Sequence, residues 1–128
     1  MIINLPKIFD SRGALTSIEE HNHIPFKINK VHWLFDSKSG HSREGHALKH
    51  TSEFLIVLSG SVDILINDGK TESSYKLNKP NKGLLIKNGV WRQTTNFSSN
   101  SVCLILSSNQ FDPNEYIRDF NEFIDLKK

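Results

Sequence analysis

The chemistry that this sequence could carry is concentrated between Gly40 and Gly60, where a polar loop precedes a short strand with two histidines. Alternation along a strand predicted over 46–50 places His46 and His50 on the same face. An imidazole has a pKa of ~6.5, so it can accept a proton and later donate it near neutral pH. His32, on another predicted strand, is a third candidate. These histidines are candidates for general acid–base catalysis.

Two arginines are the best candidates for binding an anionic substrate. Arg12 and Arg43 each offer planar, paired donors, a geometry that matches phosphate oxygens. Trp33 and Trp91 could stack on a base or a sugar ring. Two of these residues could instead have a structural role: Arg12 could pair with Asp10, and Trp91 could belong to the core.

The elements that would position these residues are mostly short strands separated by turn signals about every ten residues. Strands are predicted over 2–5, 15–19, 31–36, 46–50, 54–58, 62–66, 71–77, 83–87, 91–95 and 101–107. Such a series is typical of an all-β sandwich or barrel. One terminal helix is predicted, with Asp112 as its N-cap, Pro113 at its first position and Glu115 three residues after the cap.

The bulk composition excludes several classes of function. A length of 128 residues fits one domain, and a formal net charge of +2 with scattered lysines argues against nucleic-acid binding. No segment approaches the ~18 apolar residues of a membrane span, and the N-terminal residues do not read as a signal peptide. The single cysteine, Cys103, excludes an internal disulfide and suits a reducing compartment. We therefore expect a soluble cytoplasmic protein.

The stretch from Gly40 to Gly60 resembles the first motif of the cupin family, G-x5-H-x-H-x3,4-E-x6-G. Gly40, His46, Glu53 and Gly60 stand in that register, and Leu48 takes the place of the second histidine. The resemblance implies an all-β double-stranded β-helix, a jelly-roll barrel, here with a C-terminal helix. Because His46 and Glu53 alone do not make a stable divalent site, we expect neither metal nor cofactor.

Along its whole length the chain resembles the WxcM-like sugar 3,4-ketoisomerases, a metal-free branch of the cupins. The agreeing segments include 10–13, 24–26, 43–49, 58–61, 68–69, 90–91, 96–99, 101–102 and 116–119. This resemblance implies an enzyme that moves the keto group of dTDP-4-keto-6-deoxyglucose from C4 to C3. It also implies a domain-swapped homodimer and a cytoplasmic role in sugar synthesis for surface polysaccharide such as O-antigen lipopolysaccharide.

The resemblance makes His46 the expected base, with His32 or His50 as possible partners. The expected substrate contacts are Arg12, Trp33, Arg43, Lys49, Glu53, Trp91 and Arg92. The family usually has a tyrosine pair at the position of His32 and Trp33. Two alternatives stay open: a non-catalytic cupin that binds a nucleotide sugar or carbohydrate, and a 3,5-epimerase-like enzyme.

Overall fold

The computed structural model describes residues 1–128 as two facing five-stranded sheets, a small hairpin and one C-terminal α-helix. The strands are β1 (Ile2–Asn4), β2 (Ile8–Asp10), β3 (Gly13–Leu15), β4 (Lys30–Leu34), β5 (His46–Leu48), β6 (Glu53–Ser59), β7 (Val62–Asn67), β8 (Glu72–Leu77), β9 (Lys82–Ile86), β10 (Trp91–Thr95), β11 (Val102–Ser107) and β12 (Tyr116–Ile117). A 3-10 turn (Pro113–Glu115) precedes β12, and helix α1 (Phe120–Leu126) follows it.

Strand pairing in both large sheets is antiparallel and, apart from the β7–β8 hairpin, links strands that are not consecutive in sequence. One sheet has the order β1-β9-β6-β11-β4, and the other has the order β12-β5-β10-β7-β8. Strands β2 and β3 pair only with each other. This arrangement is the double-stranded β-helix expected from the sequence, and it confirms the predicted fold class.

The central strand β6 is apolar on both faces because both faces are covered. Leu55 and Val57 point toward the second sheet and pack in one cluster with Ile64. Phe54 and Ile56 point the other way, into a second cluster formed with residues of β9, β11 and the N-terminal segments. Side chains buried on both faces of a strand produce the continuous apolar run seen in the sequence.

The prediction of a strand over 15–19 is wrong, because the hairpin is tighter than expected. Its return strand begins at Gly13 and pairs over three residues only, from Gly13 to Leu15. Beyond this strand, Ile18 packs against the second cluster, which contains Phe54 and Ile56. The backbone N–H of Glu19 donates to the imidazole of His23, which turns the chain away from a sheet.

The prediction of a helix capped by Asp112 is also wrong in its starting point. Asp112 caps only the 3-10 turn, where its carboxylate accepts from the backbone N–H of Asn114. Tyr116 and Ile117 then pair with β5 as a strand, and the α-helix begins after Asp119, its N-cap. The tertiary pairing with β5 overrides a local sequence that would suit a helix.

The predicted strand over 46–50 ends earlier, at Leu48, and this separates His50 from His46. After Leu48 the chain turns around the buried carboxylate of Glu115. That carboxylate accepts from the backbone N–H of His50 at 3.2 Å and from the backbone N–H and hydroxyl of Thr51 at 3.0 and 2.8 Å. His50 therefore lies in a turn rather than on the strand face that carries His46.

Candidate active site

A cavity of about 770 Å³ opens between the two sheets. Its wall is formed by β4, β6 and β11 of one sheet, by β5, β10 and β12 of the other, and by the loop over 35–44. This volume falls within the range of about 300 to 1,000 Å³ that is usual for small-molecule sites. The cavity is therefore large enough to hold a substantial small-molecule substrate.

Strand register explains why His46 and Arg92 face this cavity together. In the antiparallel pair of β5 and β10, His46 lies opposite Arg92, and Ala47 lies opposite Trp91. Successive side chains on a strand point to opposite faces. Ala47 and Trp91 consequently pack outward with Phe123 of helix α1, while His46 and Arg92 line the cavity.

Gly45, the residue before β5, allows the strand to lie close to the cluster of Ala47, Trp91 and Phe123. A Cβ on Gly45 would lie only 2.5 Å from Cζ2 of the Trp91 indole. Any side chain at this position would displace either the indole or the backbone immediately before His46. Glycine is therefore part of what sets the position of the imidazole.

A buried ion pair forms the floor of the site. Nη1 of Arg92 donates to one oxygen of Glu53, and the Ser107 hydroxyl donates to the other oxygen at 2.9 Å. Arg92 is a residue of the cavity wall, and its buried Nε and Nη2 groups have no protein acceptor. Buried donors are normally satisfied, so these two N–H-bearing groups are suited to a ligand oxygen.

Glu53 is thus held by Arg92 and Ser107, although its position in the sequence matches a metal ligand of other cupins. No group of three or more His, Cys, Asp or Glu side chains is arranged to hold a metal ion. The site therefore combines imidazole groups with hydrogen-bond donors.

His46 is kept neutral by its surroundings. Burial lowers its pKa to about 4, and the positive charge of Arg92 acts in the same direction. The Glu53 carboxylate raises this pKa without reversing the shift, and the charge of Arg118 lowers it further. At neutral pH the imidazole is therefore in its unprotonated form, as a general base requires.

His32 faces the same cavity from the opposite sheet. Burial lowers its pKa, the charge of Lys30 lowers it further, and the Glu53 carboxylate raises it. Its Nδ1 is buried without a protein hydrogen-bond partner. His32 thus places an imidazole with an unsatisfied nitrogen on the cavity wall.

Cationic side chains surround the opening. Lys38, Arg43 and Arg118 are exposed and line the cavity, and the backbone N–H of Arg43 donates to the carbonyl of Thr94 at 3.0 Å. Exposed guanidinium and ammonium groups in these positions can meet the oxygens of a diphosphate without a large desolvation cost.

The cavity brings together five of the ten candidate residues: His32, Arg43, His46, Glu53 and Arg92. The remaining five, Arg12, Trp33, Lys49, His50 and Trp91, do not line it. Lys49 and His50 are exposed in the turn after β5, and Trp91 is buried on the outward face of β10.

Arg12 and Trp33 both lie on the outside of the barrel. Arg12 is exposed at the tip of the β2–β3 hairpin and pairs with Asp10 at 2.6 Å. Trp33 is 56% exposed, because alternation on β4 turns it away from the cavity that His32 faces. Within one chain, neither residue can contact a molecule bound next to His46.

Sequence reasoning missed Tyr116 and Arg118, which both line the cavity. The ring centroids of Tyr116 and His46 are 5.2 Å apart, and the guanidinium carbon of Arg118 lies 4.6 Å from the centre of the Tyr116 ring. Assigning this segment to a helix made Tyr116 look like a packing residue. The short alternation after Glu115 was the available signal, but a two-residue strand is too short to recognise.

Comparison with known families matches residues 1–128 to the family described as "FdtA: WxcM-like, C-terminal". The chain belongs to the WxcM-like sugar 3,4-ketoisomerase family. A curated relative from Aneurinibacillus thermoaerophilus, TDP-4-oxo-6-deoxy-alpha-D-glucose-3,4-oxoisomerase, is 38% identical over 95% of this chain and 88% of its own length.

Solved structures of ketoisomerases share both the fold and a large part of the sequence. The WlaRB TDP-quinovose 3,4-ketoisomerase from Campylobacter jejuni has a TM-score of 0.94 and 40% identity, over 98% of this chain and 96% of its own. A His-to-Asn mutant of the 3,4-ketoisomerase QdtA from Thermoanaerobacterium thermosaccharolyticum, in complex with TDP-4-keto-6-deoxyglucose, has a TM-score of 0.94. It is 34% identical over 98% of this chain and 91% of its own.

Proposed function

We propose that this protein moves the keto group of dTDP-4-keto-6-deoxyglucose from C4 to C3. The observation that carries the proposal is a neutral His46 beside a buried Arg92 whose Nε and Nη2 have no acceptor, in a cavity of about 770 Å³. The names of its 34–40% identical relatives, which are sugar 3,4-ketoisomerases, support the same reaction.

The reaction needs two proton transfers at carbon and no external oxidant. His46 takes the proton from C3, and the C3–H electron pair forms the C3–C4 double bond of an enediol or enediolate. The protonated imidazole then returns a proton to C4, while the oxygen on C3 becomes the ketone. One imidazole can serve both carbons if it lies over one face of the C3–C4 edge.

Arg92 is suited to stabilise the charge that develops on oxygen. Donors already fixed at the position of a developing oxyanion lower the barrier, because they need no reorganisation during the reaction. The ion pair with Glu53 holds the guanidinium in place and leaves its Nε and Nη2 without a protein acceptor. His32, on the opposite wall, is a second imidazole that can contact the sugar, and Arg43 at the opening suits the diphosphate.

A domain-swapped homodimer belongs to the same proposal. The β2–β3 hairpin pairs with no other strand, and its Ile8, Phe9 and Leu15 are 60–74% exposed. Strand β4 forms an edge of its sheet and exposes Trp33. Exchange of the hairpin between two copies would cover apolar surface of this kind and carry Arg12 to the partner. A cytoplasmic location, compatible with the free Cys103, completes the proposal.

Incubation with dTDP-4-keto-6-deoxyglucose in deuterated water tests the reaction directly. We expect formation of the 3-keto isomer with deuterium at C4, and entry of deuterium at C3 of the recovered 4-keto substrate. His46→Asn should abolish turnover and leave dTDP affinity within about threefold, because the general base is lost while the phosphate contacts remain. His21→Asn is the matched control, since His21 is exposed, outside the cavity and at a positive φ that asparagine tolerates.

The alternatives give different results in the same experiment. A binding protein would hold dTDP without any exchange, and a 3,5-epimerase-like enzyme would introduce deuterium at C5. Unchanged turnover in His46→Asn would refute the assignment of His46 as the base. The homodimer is tested separately by the mass of the wild-type protein in solution, and a monomer would contradict it.

A further inference from the structure

Tyr116 is held at the cavity wall next to the proposed base. In the pairing of β12 with β5, Tyr116 lies opposite Leu48 and Ile117 lies opposite Ala47. Ile117 packs outward with Ala47, so alternation directs Tyr116 inward, where it lines the cavity. Its ring centroid is 5.2 Å from that of His46.

Two further side chains contact the ring in this position. The Arg118 guanidinium carbon lies 4.6 Å from its centroid, and the Phe111 ring centroid is 5.8 Å away. The preceding residue, Glu115, is buried and bonded to the turn after β5, which ties β12 to the strand that carries His46. Tyr116 and His46 are therefore positioned by the same pair of strands.

The isomerisation has a second set of proton transfers, at oxygen, that His46 does not perform. As C3 loses its proton to the base, the C4 oxygen must gain one, and later the C3 hydroxyl must lose one. A single group beside both oxygens could do both, provided that it can donate and accept. An arginine only donates, whereas a phenol does both.

Among the hydroxyl groups of the cavity wall, the phenol is the one suited to this task. Its ordinary pKa of ~10 is nearer to neutrality than that of any serine or threonine hydroxyl. Burial raises the pKa of Tyr116, so it is protonated and ready to donate when the substrate binds. The second histidine of the cupin motif is absent here. Tyr116 lies directly opposite Leu48, the residue that replaces it, in the pairing of β12 with β5.

We propose that Tyr116 moves the oxygen-bound protons of the isomerisation while His46 moves the carbon-bound ones. This inference rests on the proposed function. Tyr116 gives its proton to the C4 oxygen as His46 takes the C3 proton, which yields a neutral enediol. The resulting phenolate takes the proton of the C3 hydroxyl as His46 protonates C4, and both side chains regain their starting states.

Tyr116→Phe tests this role, because it removes only the hydroxyl and keeps the ring contacts with His46, Arg118 and Phe111. We expect kcat to fall by about 100-fold or more, the usual effect of removing a general acid or base. Affinity for dTDP should remain within about threefold. The rate of deuterium entry at C3 and C4 should fall together with kcat, because the enediol forms more slowly.

Tyr75→Phe is the matched control, since Tyr75 lies on β8, packs against the core and does not line the cavity. It should keep the wild-type kcat. If Tyr116→Phe retains kcat within about threefold, the proposal is overturned. A variant that loses dTDP binding or melts well below the wild type would instead show a structural role and also overturn it. If the wild type itself neither turns over nor exchanges, the proposed function is what has failed.

Discussion

The pH dependence of folding should reveal how strongly the cavity disfavours a charged His46. Burial, followed by the charge of Arg92, lowers its pKa from 6.5 to about 4. Since a tenfold change in proton affinity corresponds to about 1.4 kcal/mol, this difference corresponds to about 3 kcal/mol. A contribution of this size is a large share of the free energy of unfolding of a small domain, which is typically about 5–15 kcal/mol.

The sign follows from which state binds the proton. Above about pH 7 the imidazole is neutral in both states and contributes no pH dependence. As the pH falls through 6.5, the unfolded chain takes up a proton that the native protein does not accept until about pH 4. The free energy of unfolding should therefore decrease between these values, by about 3 kcal/mol from His46 alone.

Urea denaturation of the wild type and of His46→Asn, measured at several values between about pH 7 and about pH 4.5, isolates this contribution. The difference between the two proteins should change with pH in favour of the variant, because asparagine does not titrate. Carboxylates and His32 contribute to both proteins and cancel. A difference that stays constant with pH, or an NMR titration of His46 with a pKa near its ordinary value, would refute the reasoning.

Three further predictions concern the supports of the site. Glu53→Gln should lower the free energy of unfolding, measured in urea, by about 3 kcal/mol, because it leaves the buried charge of Arg92 without its counter-ion. Adding Arg92→Met to the same chain should recover part of this loss. A double variant less stable than the single variant would contradict this prediction. Gly45→Ala should cost about 1–3 kcal/mol and reduce kcat, since the added methyl meets Trp91, whereas an unchanged melting temperature would argue against that clash. Asp119→Ala should cost about 1 kcal/mol by removing the N-cap of α1, measured by thermal melting, and no loss would mean that the helix does not depend on its cap.

Patterns of short range allowed much of the fold to be predicted. Alternation and turn residues located nine of the twelve strands to within a few residues, because side-chain period and turn chemistry are local properties. The failures came where distant residues decided the outcome. Tyr116 and Ile117 carry a helical pattern, yet pairing with β5 makes them a strand.

The same division applies to the site. Spacing around His46 and Glu53 identified the stretch that faces the cavity, and the resemblance indicated the reaction. Placement of the arginines could not be predicted in this way. Arg12 and Arg92 have the same side chain, but one is exposed on a hairpin and the other is buried against Glu53.

By itself, the sequence determined the all-β class, most of the strands and the histidine that we propose as the base. These features follow from alternation, turns and one motif, each of which spans a few neighbouring residues. The tertiary structure decided which side chains meet His46: Arg92 through the register of β10, His32 from the opposite sheet, and Tyr116 through β12. The proximity of these side chains depends on strand pairing between segments as much as 70 residues apart, as for His46 and Tyr116. No local sequence pattern encodes such pairing.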